Sequence, residues 1–476
     1  MKVIKNYLYS VGYQLLVMIV PLITTPYVNR VLGPHGIGIN TYTNTIIQYF
    51  ILFGGMGIAL YGNRQIAYTR NDSLNKAKTF WEIQIVHIVG ILISTMVFFI
   101  YLVAFAHYKW YMTLQFINLI AAAFDISWFF QGIEDFKVTV LRNTVVKIIS
   151  IILIFICIHS STQISLYILI YALASLIGNF TLWPNLKKEL NVKINILDLH
   201  PLRHVIPAIG LFIPEVAVQI YQTLNKTILG FIVSTNAAGF YFDSDTIIKM
   251  LLGLVTAFSS VMLPHVANQF SKNEVKQIKK VTYLSCNVMT SLAMALAFGI
   301  ASISLKFAPI FFGSSFKAVG PALLMESPVI YFAGISTILG AQYLVPTYQT
   351  KAYSMSLILG ALGSIVSNFV LIPLFHLYGA IMSTVIAEII VYMYQLHIIR
   401  STNQLNMKKL FDGSVKYLLA GICMFVGVFL LDRKLSSTIV SITIEVILGI
   451  AIYGGMIFAL KTRVASLLIK RISKNS

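Results

Sequence analysis

Three observations predict an all-α polytopic membrane protein. The 476 residues are 58% hydrophobic and only 11% charged, with a mean hydropathy of +0.82, whereas soluble domains carry about 25% charge. The apolar residues run in long blocks near the ~20 residues that cross a bilayer as helix, and not in the short alternating strands of a membrane barrel. The basic residues collect on alternate loops, as expected when Lys and Arg resist translocation. A soluble globule and a disordered polar chain are thereby excluded.

Fourteen spans are expected, at 11–31, 38–62, 83–106, 111–131, 143–158, 164–184, 205–231, 240–263, 281–305, 320–344, 354–374, 378–399, 414–431 and 438–460. Lys2 and Lys5 precede the first apolar run, which contains Pro21 and Pro26 and has no clear small-residue cleavage site. It reads as a retained span and not a signal peptide. With the N-terminus in the cytoplasm, cytoplasmic loops, tails and adjoining span ends hold 26 of the 35 Lys and Arg. The outer loops and adjoining span ends hold six (Arg30, Lys109, Lys306, Lys317, Arg433, Lys434) and the span interiors three (Lys147, Lys226, Lys249). That bias favours an even span number and two cytoplasmic termini. It also accounts for the net charge of +19 without nucleic acid. Cys157, Cys286 and Cys423 all lie in apolar runs, as small hydrophobes and not as metal ligands or a disulfide framework. No loop exceeds about twenty residues and no P-loop pattern occurs. No ATPase, no outer catalytic domain and no cofactor are expected; the chain does not read as an enzyme.

An internal repeat organises the spans. Asn29-Arg30-Val31-Leu32-Gly33 and Gly38 to Ile46 match Asn225-Lys226-Thr227-Ile228-Leu229-Gly230 and Gly239 to Ile247: Asn-basic, then Leu-Gly, then Gly-x6-Thr-Ile. Six spans separate the copies, an even number, so the halves are expected to run parallel, related by an axis along the membrane normal. The expected domains are a six-helix lobe at 1–184, a cytoplasmic linker at 185–204, a second six-helix lobe at 205–399, and two further helices with a basic tail at 400–476.

Ionisable groups inside spans cost about 2.5–3.5 kcal/mol on insertion scales and need a reason to be there. Asp125, Glu215, Lys226, Asp243, Asp245, Lys249, Glu326, Glu388 and Glu445 qualify, with Arg30 at a span end. Each has two readings: cavity lining or ion coupling, against an interhelical ion pair or a snorkelling group. Pro207 and Pro214 interrupt the seventh span, and Glu215, Gln219, Gln222 and Lys226 follow at spacings of 4, 3 and 4, one helix face. Asn44 and Gln48 share a face of span two. Asp245 and Lys249 stand four apart and suit a mutual pair. A wet cavity with basic groups suits an anionic head group such as a diphosphate. A carboxylate that binds H⁺ or Na⁺ would drive the cycle; the candidates are Asp125, Glu215, Asp243, Asp245 and Glu388.

Thr25-Pro26-Tyr27-Val28-Asn29-Arg30-Val31-Leu32-Gly33-Pro34 resembles the first-hairpin signature of Wzx-type polysaccharide repeat-unit flippases. Asp125-Ile126-Ser127-Trp128-Phe129-Phe130-Gln131-Gly132 resembles their fourth-span motif, and Leu224 to Gly230 with Met262-Leu263-Pro264-His265 their second-lobe counterparts. That family sits in the multidrug/oligosaccharidyl-lipid/polysaccharide exporter superfamily. The resemblance implies a two-lobe transporter in a bacterial plasma membrane. It would move undecaprenyl-diphosphate-linked oligosaccharide outward by alternating access, for capsule, exopolysaccharide or O-antigen, alongside the polymerase machinery. It also implies importance for Arg30, Asp125, Trp128, Gln131, Glu134 and Lys226. Asn225 departs from the pattern, which has an acidic residue before the lysine. The full cavity set is therefore Arg30, Asn44, Gln48, Asp125, Trp128, Gln131, Glu215, Gln219, Gln222, Lys226 and Lys249. Two alternatives stand beside the flippase: a multidrug/cation antiporter of the same superfamily, and a membrane polysaccharide polymerase, disfavoured by the short outer loops.

Overall fold

The computed structural model describes residues 2–192, 194–271, 274–403, 405–466 and 469, with side chains omitted at 2–11, 14–15, 196, 213–215, 217–218, 221, 256–271 and 275. Among the described residues every long element is a helix, and no strand occurs. Among these described residues nine helices are long and apolar enough to cross a membrane, or ten if the bent pair Val319–Glu326 and Pro328–Leu344 counts as one span. The chain is a multi-pass membrane protein. Its internal contacts divide it into two compact units, Met1–Gly230 and Phe231–Ser476.

The first unit opens on α1 (Lys2–Gly55), which is two helices in one: Gly33, at φ 68° and ψ 176°, leaves the helical region. That left-handed φ suits glycine, and Pro34 follows at a first helical position, where its missing N–H costs nothing. Next come α2 (Ile58–Thr69), α3 (Ser73–Ala104), α4 (Lys109–Ala123), α5 (Ser127–Gly132), α6 (Phe136–Cys157), α7 (Ile164–Phe180), α8 (Trp183–Glu189) and α9 (Val205–Ile228). Asp72 caps α3, its carboxylate accepting from the N–H groups of Leu74 and Asn75 at 3.1 and 3.0 Å. The unit's core gathers Tyr61, Ile66, Phe80, Ile83, Trp128, Phe129, Phe130 and Leu182 around α5. The fifth span, read as short, is a 22-residue helix. The segment expected to open the second lobe, α9, packs on α1 and α2 within the first unit. A sequence duplication and a contact cluster are different quantities, so this packing leaves the repeat where it stood.

The fourth span is broken where the sequence reads as one apolar run. Helix α4 stops at Ala123, Phe124-Asp125-Ile126 is non-helical, and α5 restarts at Ser127. In a bilayer the freed carbonyls need donors. Asn179 Nδ2 donates to Ala121 O at 2.6 Å, Gln84 Nε2 to Ala123 O at 2.9 Å, and Trp183 Nε1 to Phe124 O at 3.0 Å. Asp125, two residues before the new helix, accepts from Ser127 N at 2.9 Å. A second clamp joins α1 to α4: Gln115, fully buried, donates to Asn40 and Thr43 and accepts from Asn44 and Asn118.

The second unit holds α10 (Thr235–Ser271), α11 (Val275–Phe312), α12 (Val319–Glu326), α13 (Pro328–Thr337), α14 (Thr350–Ser401), α15 (Met407–Leu410), α16 (Ser414–Asp432) and α17 (Ile439–Ala459). Helix α14 is again double, broken at His376 with φ 53°. Lys306, expected in an outer loop, lies inside α11 and is largely buried. Its ammonium meets Asp432 at 3.0 Å and Glu445 at 3.3 Å and donates to Leu435 O at 3.0 Å. One cation thus ties the last two helices to α11.

Candidate functional site

The break in the fourth span opens onto a cavity of about 210 Å³ inside the first unit. Gln48 reaches it from α1, His87 from α3, Asp125, Ser127 and Trp128 from the break and α5, and Gln219 from α9. The sequence singled out Gln48, Asp125, Trp128 and Gln219, which line this one cavity although they are spread over some 170 residues. It missed His87. The available signal was a lone imidazole within an apolar span, where a titratable group calls for an explanation.

Each group is held for a reason. Trp128 stacks on Phe80 at a centroid distance of 5.4 Å and 20° between planes, with Phe129 edge-on to Phe80 at 5.3 Å. Gly62 makes room for it: a Cβ there would lie 2.5 Å from Trp128 Cε3. Asp125 is 41% exposed at the side chain, so its charge reaches the cavity, while the guanidinium of Arg142 stands 3.8 Å away. Arg142 is in turn oriented by Asn179 Oδ1 at 2.8 Å, the same side chain that caps α4. His87 Nδ1 and Trp128 Nε1 are buried and make no hydrogen bond among the described residues. Buried polar atoms are nearly always satisfied, and the cavity offers the place for a partner. At ~30 Å³ of liquid volume per water, it has room for several waters or a hydrated cation. A carboxylate, an imidazole and two amides around such a space suit a small cation or an exchangeable proton.

The other expected residues lie elsewhere. Asn44 belongs to the Gln115 clamp, and Gln131 accepts from Asn63 Nδ2 at 3.3 Å, holding α5 to α2. Arg30 is exposed on the first half of α1, Gln222 is exposed on α9, and Lys226 is half-buried in the last turn of α9. Helices α1 and α9 are joined by Tyr49 and Thr227, whose hydroxyls are 3.0 Å apart. Glu215 lies outside the described side chains, as do Met262 to His265. In the second unit Asp245 and Lys249 form the i,i+4 pair at 2.9 Å, with Lys249 half-exposed. Asp243 is fully buried in α10, and Glu388 is half-buried in α14. Ser244 donates to the buried carboxylate of Glu326. Glu134 pairs with Arg70 at 2.7 Å.

A further buried cluster fixes the segment before α9. Glu82, buried on α3, accepts from His200 N at 2.8 Å and from Arg203 Nη2 at 2.6 Å, and meets His204 Nε2 at 2.9 Å. Tyr61 OH closes on His204 Nδ1 at 2.7 Å. Burial pushes the His204 imidazole below the usual histidine range, against the opposing pull of Glu82.

Known proteins place this architecture. A protein of Escherichia coli (strain K12) named "Putative O-antigen transporter" is 25% identical over 409 residues, covering 84% of this chain and 97% of that one. The solved structure of the lipid II flippase MurJ in its inward closed conformation superposes with a TM-score of 0.77 at 16% identity, over 94% of this chain and 98% of that one. An inward-facing multidrug resistance MATE transporter of the MOP superfamily gives 0.61 at 14% identity, over 82% and 98%. The two structures fix the fold. The polysaccharide biosynthesis protein family matches residues 3–270, more than half the chain, and the chain belongs to that family.

Proposed function

We propose that this chain is a flippase that carries undecaprenyl-diphosphate-linked oligosaccharide repeat units across a bacterial plasma membrane by alternating access. The observation that carries the reading is the correspondence, over 84% of this chain and 97% of the relative, with the E. coli protein named "Putative O-antigen transporter". The shared fold with the lipid II flippase MurJ supports it. So does the resemblance of the Asp125 to Gly132 segment. The surface glycan is an O-antigen, capsule or exopolysaccharide unit.

The reading carries a topology. Helices α1 and α14 each break near their middle, at Gly33 and His376. Counting each half as one span, and α4 with α5 and α12 with α13 as bent spans, supports fourteen crossings and cytoplasmic termini. The two repeat junctions support paired six-helix lobes at 1–184 and 205–399: Asn29 and Asn225 are both buried, and each precedes a departure from α-helix, at Gly33 and at the π-turn Leu229–Val233. In this account Arg30 and Lys226 attract the diphosphate. Asp125, with His87 and Gln219 beside it, takes up the H⁺ or Na⁺ that resets the cycle; Glu215, Asp243, Asp245 and Glu388 are the other coupling candidates.

Deletion in a strain without a redundant flippase tests the reading. Lipid-linked repeat units are expected to accumulate on the inner leaflet, with wild-type plasmid restoring export and charge reversal at Arg30 and Lys226 failing to do so. Normal surface polysaccharide in the deletion strain overturns it.

A further inference from the structure

A second concavity lies wholly within the second unit and belongs to none of the groups above. It measures about 740 Å³ and is walled by Lys276, Lys279, Lys280, Lys409 and Arg463, with Asp412 as the only acidic group among its described lining residues. Three separate stretches of chain supply these charges: the start of α11, the α15 segment, and the turn after α17. None of the five cations makes an ion pair among the described residues.

The walls are stitched together rather than merely adjacent. Asn406 N donates to Tyr283 OH at 2.7 Å, joining the α15 segment to α11. Asn287 Nδ2 donates to Asp412 O at 2.6 Å, and Tyr417 OH donates to Asn287 Oδ1 at 2.8 Å. Val464 N reaches the same Tyr417 hydroxyl at 3.3 Å, which brings in the segment carrying Arg463. Like charges drawn from positions 276, 409 and 463 are thus held in one concave site at the cost of mutual repulsion. The positive-inside tendency places lysines on cytoplasmic loops, but it supplies no reason for such convergence. A cleft of one sign with low-dielectric walls focuses its field on an anion. The start of α11, the start of α16 and the end of α17 lie at one membrane surface by connectivity, so the anion it meets is at head-group level.

We propose that this cleft binds the phosphate of an anionic lipid head group at the surface where the chain's basic loops lie. Its placement on the cytoplasmic side rests on the topology proposed above; the binding itself does not rest on transport. The shared chemistry is phosphate, from a bilayer lipid or from a free phosphoryl group.

The test uses the full-length protein in detergent with fluorescent phosphatidylglycerol as probe, fluorescent phosphatidylcholine as reference and sodium pyrophosphate as soluble competitor. Wild type is expected to prefer phosphatidylglycerol. Lys279→Ala/Lys280→Ala/Lys409→Ala is expected to weaken it about a hundredfold, at roughly fivefold per lysine beside an anionic lipid surface, while the corresponding triple Arg variant retains it. Lys187→Ala/Lys188→Ala, on the exposed turn of α8 in the first unit, is expected to change nothing. Competition by pyrophosphate assigns the site to the phosphate alone; its absence, with the triple effect intact, assigns it to the intact lipid head. The proposal fails if the Ala triple, melting like wild type, binds phosphatidylglycerol as tightly, or if the α8 pair weakens binding as much. Because no transport is measured, loss of this site and loss of the flippase reading are separable.

Discussion

Gly62→Ala tests whether the packing of Trp128 positions the site. The added methyl would sit 2.5 Å from Cε3 and 2.9 Å from Cδ2 and Cζ3 of the indole. Carbon atoms rest at about 3.5–4.0 Å, so the ring must retreat by roughly 1 Å. That retreat is resisted, because Phe80 stacks on the ring, Phe129 stands edge-on, and its exposure is 3%. Overpacking of this kind costs about 1–3 kcal/mol. The assay is a double-mutant cycle on thermal unfolding in detergent, with Gly62→Ala, Trp128→Phe and the pair. Each single variant is expected to be destabilised, and the pair less than the sum, with a coupling of about 1 kcal/mol or more because the smaller ring vacates the space the methyl takes. Gly62→Ala as stable as wild type, or strictly additive with Trp128→Phe, would refute the reasoning.

Two further outcomes follow from buried charges. Burial lowers the proton affinity of His204 in the folded protein. A base whose folded pKa is depressed contributes stability that is fully present above its unfolded pKa of about 6.5 and is lost as pH falls through the folded value. The melting temperature is therefore expected to drop on acidification below about pH 6.5, and His204→Gln is expected to flatten that drop; an unchanged pH profile in the variant contradicts the assignment. Lys306→Met leaves two carboxylates without their cation, and breaking a buried pair costs about 3–5 kcal/mol. Lost thermal stability is expected, with partial recovery in Lys306→Met/Asp432→Asn/Glu445→Gln; wild-type melting of the single variant contradicts it.

How much of this was visible beforehand depends on the range of the interactions involved. The hairpin at Gly33-Pro34 was legible because its signal is local: a glycine that tolerates positive φ, followed by a proline that starts a helix. The Asp245–Lys249 pair was legible from spacing alone. Gln48, Asp125, Trp128 and Gln219 were each singled out as polar or motif residues in apolar runs, but nothing in the sequence put them around one cavity. The break at Phe124-Asp125-Ile126 was invisible because hydropathy does not register a lost backbone hydrogen bond. What sustains the break comes from Gln84, Asn179 and Trp183, which lie 39, 58 and 59 positions from the carbonyls they cap. The clamp of Lys306 on Asp432 and Glu445 spans even greater separations, and hence a buried lysine read as a loop residue. Periodicity reports neighbours on one helix; it carries no information about which helices meet.

The central claim is translocation of a lipid-linked glycan by this chain. The most direct measurement reconstitutes the purified protein into vesicles holding a fluorescent undecaprenyl-diphosphate oligosaccharide in both leaflets and adds a membrane-impermeant quencher outside. The account predicts that quenching proceeds past the outward-facing half of the label, and that Arg30→Glu/Lys226→Glu, inserted normally, stops at that half. Quenching that halts there with the folded wild-type protein, as in protein-free vesicles, under imposed H⁺ and Na⁺ gradients alike, would contradict it.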